Sequence, residues 1–259
     1  MNIFSFRRSC SQWLRAFFDA RLLRLVSVSL LVAGPLHAAS VTWDANTGLA
    51  GAQDGGGTWS TGIANWWNGG TNVFWPNTFN DEAIVGTGTG PAGSVAVSGA
   101  VNLNKLTVNP ATGGTYNIVG GTLNFGGASP TVSSVGNVFI NSTIAGTGGL
   151  TKTGNSFLVL YGANTYTGTT TINSGSFYLG GGFTTGSLSP ASPIVNNASL
   201  YFQRSDTVTQ GTDFGIISGS GSVTKITGGT TVLSSANSYT GGTFVSSGTL
   251  KLGSGTGIP

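Results

Sequence analysis

Residues 144–180 and 217–253 are one sequence written twice. The first copy reads IAGTGGLTKTGNSFLVLYGANTYTGTTTINSGSFYLG and the second ISGSGSVTKITGGTTVLSSANSYTGGTFVSSGTLKLG. They align without gaps at an offset of 73, with 17 of 37 positions identical. A β-sandwich has no reason to repeat itself in this way, whereas a solenoid stacks like on like. Each copy holds short β-favourable runs separated by G-x-G or A-N-x-Y-T-G turns. Glycine and asparagine tolerate the left-handed backbone that sharp corners demand. Serine and threonine suit coil edges, where hydroxyls bond exposed backbone groups and β-branching favours strands. Matched pairs from the two copies, such as Tyr166 with Tyr239 and Lys152 with Lys225, are expected at equivalent corners of stacked coils. With coils of roughly 20 to 25 residues, the chain past Ser40 predicts about nine to eleven coils and a rod about 45–50 Å long.

The remaining sequence agrees with that architecture. Runs such as Ala83-Ile84-Val85, Lys105–Val108, Thr122–Phe125 and Ser199–Phe202 recur between Gly, Asn, Ser and Pro clusters. Several alternate apolar with small polar residues, as strands with one buried face do, and no amphipathic helix pattern follows Ser40. Glycine is 44 of 259 residues, but only 7% are charged and mean hydropathy is +0.18. Disordered chains combine low hydrophobicity with high charge, so this chain is expected to fold as an all-β parallel β-helix. Five of its six tryptophans, Trp43, Trp59, Trp66, Trp67 and Trp75, crowd into one short stretch. A solenoid needs its open end closed, so residues 41–90 are expected to form a Trp-rich N-terminal cap and residues 91–259 the β-helix.

The start of the chain reads differently. Arg7, Arg8, Arg15, Arg21 and Arg24 form a basic region, Leu25–Ala33 an apolar one, and Leu36-His37-Ala38-Ala39-Ser40 a small-residue exit. This is the pattern of a secretory signal peptide, residues 1–40, with cleavage after Ala38 or Ser40 fitting equally. The apolar stretch is too short for a membrane span of roughly 20 residues.

Past Ser40 remain five cations (Lys105, Lys152, Arg204, Lys225 and Lys251) and six anions (Asp44, Asp54, Asp81, Glu82, Asp206 and Asp213). With no basic patch, nucleic-acid binding loses its electrostatic footing. Cys10, Met1 and His37 leave with the leader. A mature chain without His or Cys cannot build a Ser-His-Asp triad, a Cys nucleophile, a disulfide or a usual zinc site. No cofactor, metal site or catalytic residue is expected.

The paired stretches resemble the autotransporter-associated β-strand repeat of autotransporter passenger domains. The residues that carry the likeness are Gly146–Gly154, Ala163–Gly168 and Ser174–Gly180, with second copies at Gly219–Lys225, Ala236–Gly241 and Ser247–Gly253. The resemblance covers the two copies directly. It implies a right-handed parallel β-helix, export, and display at or release from the cell surface, with outer-membrane association where a translocator follows. It carries over no catalytic residue. An outer-membrane barrel would read as many ~10-residue alternating strands, and none appears before Pro259. Expected partners are surface glycans or other cell-surface molecules, with no nucleic acid and no membrane span.

Three groups merit a chemical reading. Asp81-Glu82 has the form of a calcium ligand or half an acid/base pair, though a solvated turn is the simpler expectation. Arg204, Asp206 and Asp213 have the composition of a lyase or hydrolase groove. Their simpler reading is a salt bridge on an exposed turn, with a corner holding Asp206 and Asp213 apart. Trp66-Trp67, with Trp75, has the form of a sugar-stacking platform, against a simpler role in core packing with one of the adjacent pair exposed. Gly146-x-Gly148 and Gly219-x-Gly221 read as coil corners, since no helix follows them as a phosphate loop requires. Three functions follow: an exported structural or adhesive passenger, a carbohydrate-active β-helix enzyme, and a glycan-binding module built on the tryptophans. The first is the expectation.

Overall fold

The computed structural model describes residues 38–253 and 257–259, so all but the end of the expected leader lies outside it. The described chain is all-β, 25 short strands with no helix, wound into a parallel β-solenoid of about seven turns. One face stacks eight parallel strands, from Ser40–Trp43 through Glu82–Val85 and Leu150–Thr153 to Ile217–Ser218. A second stacks nine, from Gly57–Trp59 to Thr243–Val245. The third is built in two blocks of three, Ala100–Leu103 to Thr143–Ala145 and Thr207–Thr209 to Thr249–Leu252.

Strand alternation builds the core. In Ser94–Val97 or Ser176–Leu179 every second side chain points inward, so Val95, Val97, Phe177 and Leu179 are buried while their neighbours face out. At the corners, Gly146 and Gly219 adopt φ of 131° and 101°. A Cβ there would lie 2.0 Å from the Phe125 carbonyl oxygen and 2.3 Å from that of Asn196, so only glycine lets the chain turn against the coil beneath.

The turns are fewer than the expected nine to eleven, in part because the first takes the residues of about two ordinary turns. Ser40 pairs across it with Glu82. Later turns of that face are far shorter, with Glu82 paired to Lys105, Lys105 to Thr131 and Thr131 to Thr151. The extra length goes to tryptophan. Trp66–Trp67 runs antiparallel to Ser40–Trp43, and Asn72–Val73 runs antiparallel to Trp66–Trp67, adding a hairpin to the end of the first face. Trp43, Trp59, Trp66 and Trp75 are buried with ring centroids 4.8–5.4 Å apart, three of the four contacts edge to face. Trp43 and Trp75 donate their indole N–H to the carbonyls of Gly55 and Asn102, both at 3.1 Å. An open sheet edge is a template for unwanted pairing, and this hairpin occupies it.

The repeat keeps its conformation but not its place. Tyr166 bonds the Thr170 hydroxyl at 2.8 Å, and Tyr239 bonds that of Thr243 at 2.6 Å. Asn164 Oδ1 accepts the Ile144 amide at 2.9 Å, and Asn237 Oδ1 accepts that of Ile217 at 2.8 Å. Yet Leu150–Thr153 lies on the first face, and its counterpart Ser222–Lys225 lies on the second. The two copies therefore occupy equivalent local settings one face apart, which corrects the expected stacking. From one copy to the other the chain makes three turns and one further side of the triangle, through the first-face strands Thr170–Ile172, Ile194–Asn196 and Ile217–Ser218.

Lys152 and Lys225 show what the shared T-K pair does. Both point inward and are buried. Lys152 Nζ donates to the carbonyls of Thr153, Gly154 and Ser174 at 2.8–3.2 Å, tying its own corner to the next coil. Lys225 Nζ donates to Ile226, Thr227 and, one coil back, Arg204. Burial pushes the Lys152 ammonium down to about 8 and Lys225 in the same direction.

Candidate binding face

The outward side of the second face carries an aromatic surface. Val138 and Ile140 point in and leave Phe139 outside, Phe177 and Leu179 leave Tyr178, and Leu200 and Phe202 leave Tyr201. The strand register sets Phe139 opposite Val159, Val159 opposite Tyr178, and Tyr178 opposite Tyr201 in one outward column. Phe157 stands beside the column, and Tyr161 follows at the next corner.

Six rings touch in unbroken sequence. Tyr201 stacks on Tyr178 at 4.4 Å with 9° between planes. Tyr178 meets Phe157 at 6.1 Å, and Phe157 meets Phe139 at 5.6 Å. The line then doubles back, from Phe139 to Tyr161 at 5.8 Å and on to Phe183 at 6.5 Å. Within the bend lies a depression of about 280 Å³, lined by Phe139, Phe157, Val159, Tyr161, Tyr178, Gly181 and Gln203. A second, of about 290 Å³, shares Phe139 and Tyr161 and adds Asn117, Asn141, Phe183 and Thr185. Val159 faces outward yet is only 5% exposed, sunk among the rings. Phe183, at 64%, stands free at the other end. A Cβ on Gly181 would come within 2.2 Å of the Tyr161 ring, so that glycine lets the ring lie flat.

No charged side chain lines either depression. Burial raises the phenols of Tyr161 and Tyr178 above their ordinary range, and the neighbouring Tyr201 adds to the shift at Tyr178. Both remain neutral hydroxyls at physiological pH. An uncharged depression with aromatic walls and amides at its rim can bind, but it offers no acid, base or nucleophile.

The residues singled out from sequence lie elsewhere. Asp81 is not in a solvated turn: it is 1% exposed and accepts the amides of Ala39 (3.2 Å) and Thr78 (2.6 Å). Burial alone would raise the Glu82 carboxyl, but Lys105 at 2.8 Å and the Thr107 hydroxyl at 2.7 Å hold it below its usual range. Arg204, Asp206 and Asp213 do form a salt bridge, but not on an exposed turn, and the two carboxylates are not turned apart. Arg204 is only 8% exposed and takes Asp206 in a two-point grip at 2.6 and 2.8 Å and Asp213 at 3.2 Å. Both acids converge on one guanidinium because the Thr207–Thr209 strand ends in a tight turn back towards it. The Arg204 hydrogen bond holds the Asp206 carboxyl below its ordinary range, which leaves it ionised. Trp66 and Trp75 are core, and Trp67 is half-buried, so these tryptophans form no exposed platform.

Sequence reasoning passed over Phe139, Phe157, Tyr161, Tyr178, Phe183 and Tyr201. A signal existed: Phe139, Tyr178 and Tyr201 stand at the polar phase of alternating strands. No helix among the described residues is long and apolar enough to cross a membrane.

Two segments, residues 150–177 and 223–252, match the passenger-associated-transport repeat. Over 248 residues the chain is 34% identical to the adhesin BmaC autotransporter of Brucella suis biovar 1 (strain 1330). That alignment covers 88% of this chain and 7% of the relative, so the chain spans a small fraction of the relative's length. No solved structure matches.

Proposed function

We propose, on the premise that this is an autotransporter-passenger-like chain carrying two passenger-associated-transport repeats, that it is an exported adhesive segment presented at or released from the cell surface. The observation that carries this is the likeness to an autotransporter adhesin across 88% of the chain, joined to a solenoid with an aromatic outer face. A non-enzymatic role is supported by the state of the Asp206 and Asp213 carboxylates. A glycosidase acid needs a raised pKa, whereas Asp206 is held low and both acids are bound to Arg204. Beads coated with the secreted chain should adhere to an animal-cell monolayer well above albumin-coated beads. Equal adhesion by the two would remove the adhesive reading.

Residues 1–38 serve in this reading as the leader. Ala39 and Ser40 are bound into the fold: Ala39 N–H donates to Asp81, the Glu82 amide donates to the Ala39 carbonyl at 2.8 Å, and Ser40 begins the first strand. Cleavage after Ser40 would discard these bonds, while cleavage after Ala38 keeps them and sets a new α-ammonium beside Asp81. Mass spectrometry of secreted material should find Ala39 at the N-terminus. A chain beginning at Val41 would contradict it.

A further inference from the structure

We infer that the aromatic depression on the second face is a binding site for a neutral, extended oligosaccharide. This deepens the adhesive reading by naming a ligand class, and rests on that reading only for where the ligand is met. The chemistry of the site selects the class. Rings of Phe139, Phe157 and Tyr178 wall the depression and Val159 floors it, which suits the C–H face of a pyranose. The Gln203 amide and the neutral Tyr161 and Tyr178 hydroxyls stand where sugar hydroxyls need donors and acceptors.

Other ligand classes fit less well. Nucleic acid and acidic glycans require cations, and none lines the site. An acyl chain requires an enclosed cavity that buries most of its surface, and this depression is shallow and open. The two depressions adjoin at Phe139 and Tyr161, so a chain of several sugars can touch both, with Asn117, Asn141 and Thr185 lining the second. Successive strands lie about 4.8 Å apart, a spacing of the same order as the advance per sugar, half the two-sugar repeat, of an extended β-1,4-linked chain.

The test is isothermal titration calorimetry of the full chain with cellohexaose and chitohexaose, against an oligogalacturonate as the acidic comparison. At least one neutral hexasaccharide should bind saturably, and the oligogalacturonate should not. Tyr178→Ala should weaken binding about tenfold, the loss of roughly one good aromatic contact. Gln203→Ala, which leaves the ring stack intact, should also weaken it, and Trp67→Ala at the other end of the solenoid should have no effect. No saturable binding of either neutral hexasaccharide would overturn the proposal, as would salt-sensitive binding of the oligogalacturonate alone. So would sugar binding indifferent to both Tyr178→Ala and Gln203→Ala, or a Tyr178→Ala change that dissociates a dimer without altering sugar binding. Sugar binding without cell adhesion would sink the adhesive reading and leave this one standing.

Discussion

Trp66→Ala should lower the stability of the N-terminal end by about 3–5 kcal/mol, the range for deleting a fully buried large aromatic. Trp66 is 0% exposed and touches Trp43, Trp59 and Trp75, so its loss leaves a cavity lined by three rings. It also sits in the strand that covers the end of the first face. Because solenoid coils contact mainly their neighbours, the damage should be local at first. The five tryptophans past the leader all lie in this first turn, so the fluorescence transition in urea should move to lower denaturant more than the far-UV circular dichroism transition does. Exposure of the sheet edge should add concentration-dependent aggregation. Trp67→Ala, at a half-buried outward position, should cost much less. A Trp66→Ala protein within about 1 kcal/mol of the parent would show that the tryptophan cluster does not hold this end.

Asn164→Ala should cost about 2–4 kcal/mol, from leaving buried backbone groups without partners. The side chain accepts the Ile144 amide at 2.9 Å and donates to the carbonyls of Gly162 at 3.0 Å and Ser187 at 2.9 Å. Ile144 lies one coil back and Ser187 one coil on, so one buried amide ties three levels of the solenoid together. Asn164→Asp should not rescue the loss, since it keeps an acceptor, removes both donors and buries a charge. Hydrogen exchange reports the effect directly: the Ile144 amide should lose protection in Asn164→Ala while Ile118, on another face, retains it. Unchanged protection at Ile144 would refute the bracing role. Asn237 makes the same kind of bonds, to Ile217, Ser235 and Gly257, and adds a buried side-chain pair with Gln210 at 2.7 and 3.3 Å, so Asn237→Ala should cost at least as much.

The corner motifs were legible because they recur in the sequence, although only the Tyr–Thr contact within each is local. Asn164 and Tyr166 do in one copy what Asn237 and Tyr239 do in the other, with the same partners in the same sense. The inward or outward choice along Ser176–Leu179 was equally readable, since side chains alternate in a strand whatever lies beside it. The shared lysine was visible as a repeated residue but not as a buried one, because its three carbonyl partners come from two coils. Asp81 and Arg204 were misjudged for a related reason. Charged residues in turn-rich sequence suggest solvent, yet here they satisfy buried corner groups.

By itself the sequence determined that this chain is a parallel β-solenoid, where its repeated Asn and Tyr corner motifs fall, and which residues point outward in alternating strands such as Ser176–Leu179. Only the tertiary structure decided which outward residues meet. Phe139, Val159, Tyr178 and Tyr201 each lie a full turn from the next, and they form one column only because every intervening turn has the length its corner hydrogen bonds allow. The same unequal turns carry the second repeat copy onto the next face. Alternation is a property of one strand, whereas register accumulates over every turn between two strands, and a slip of a single position in any turn reverses which side chain faces out.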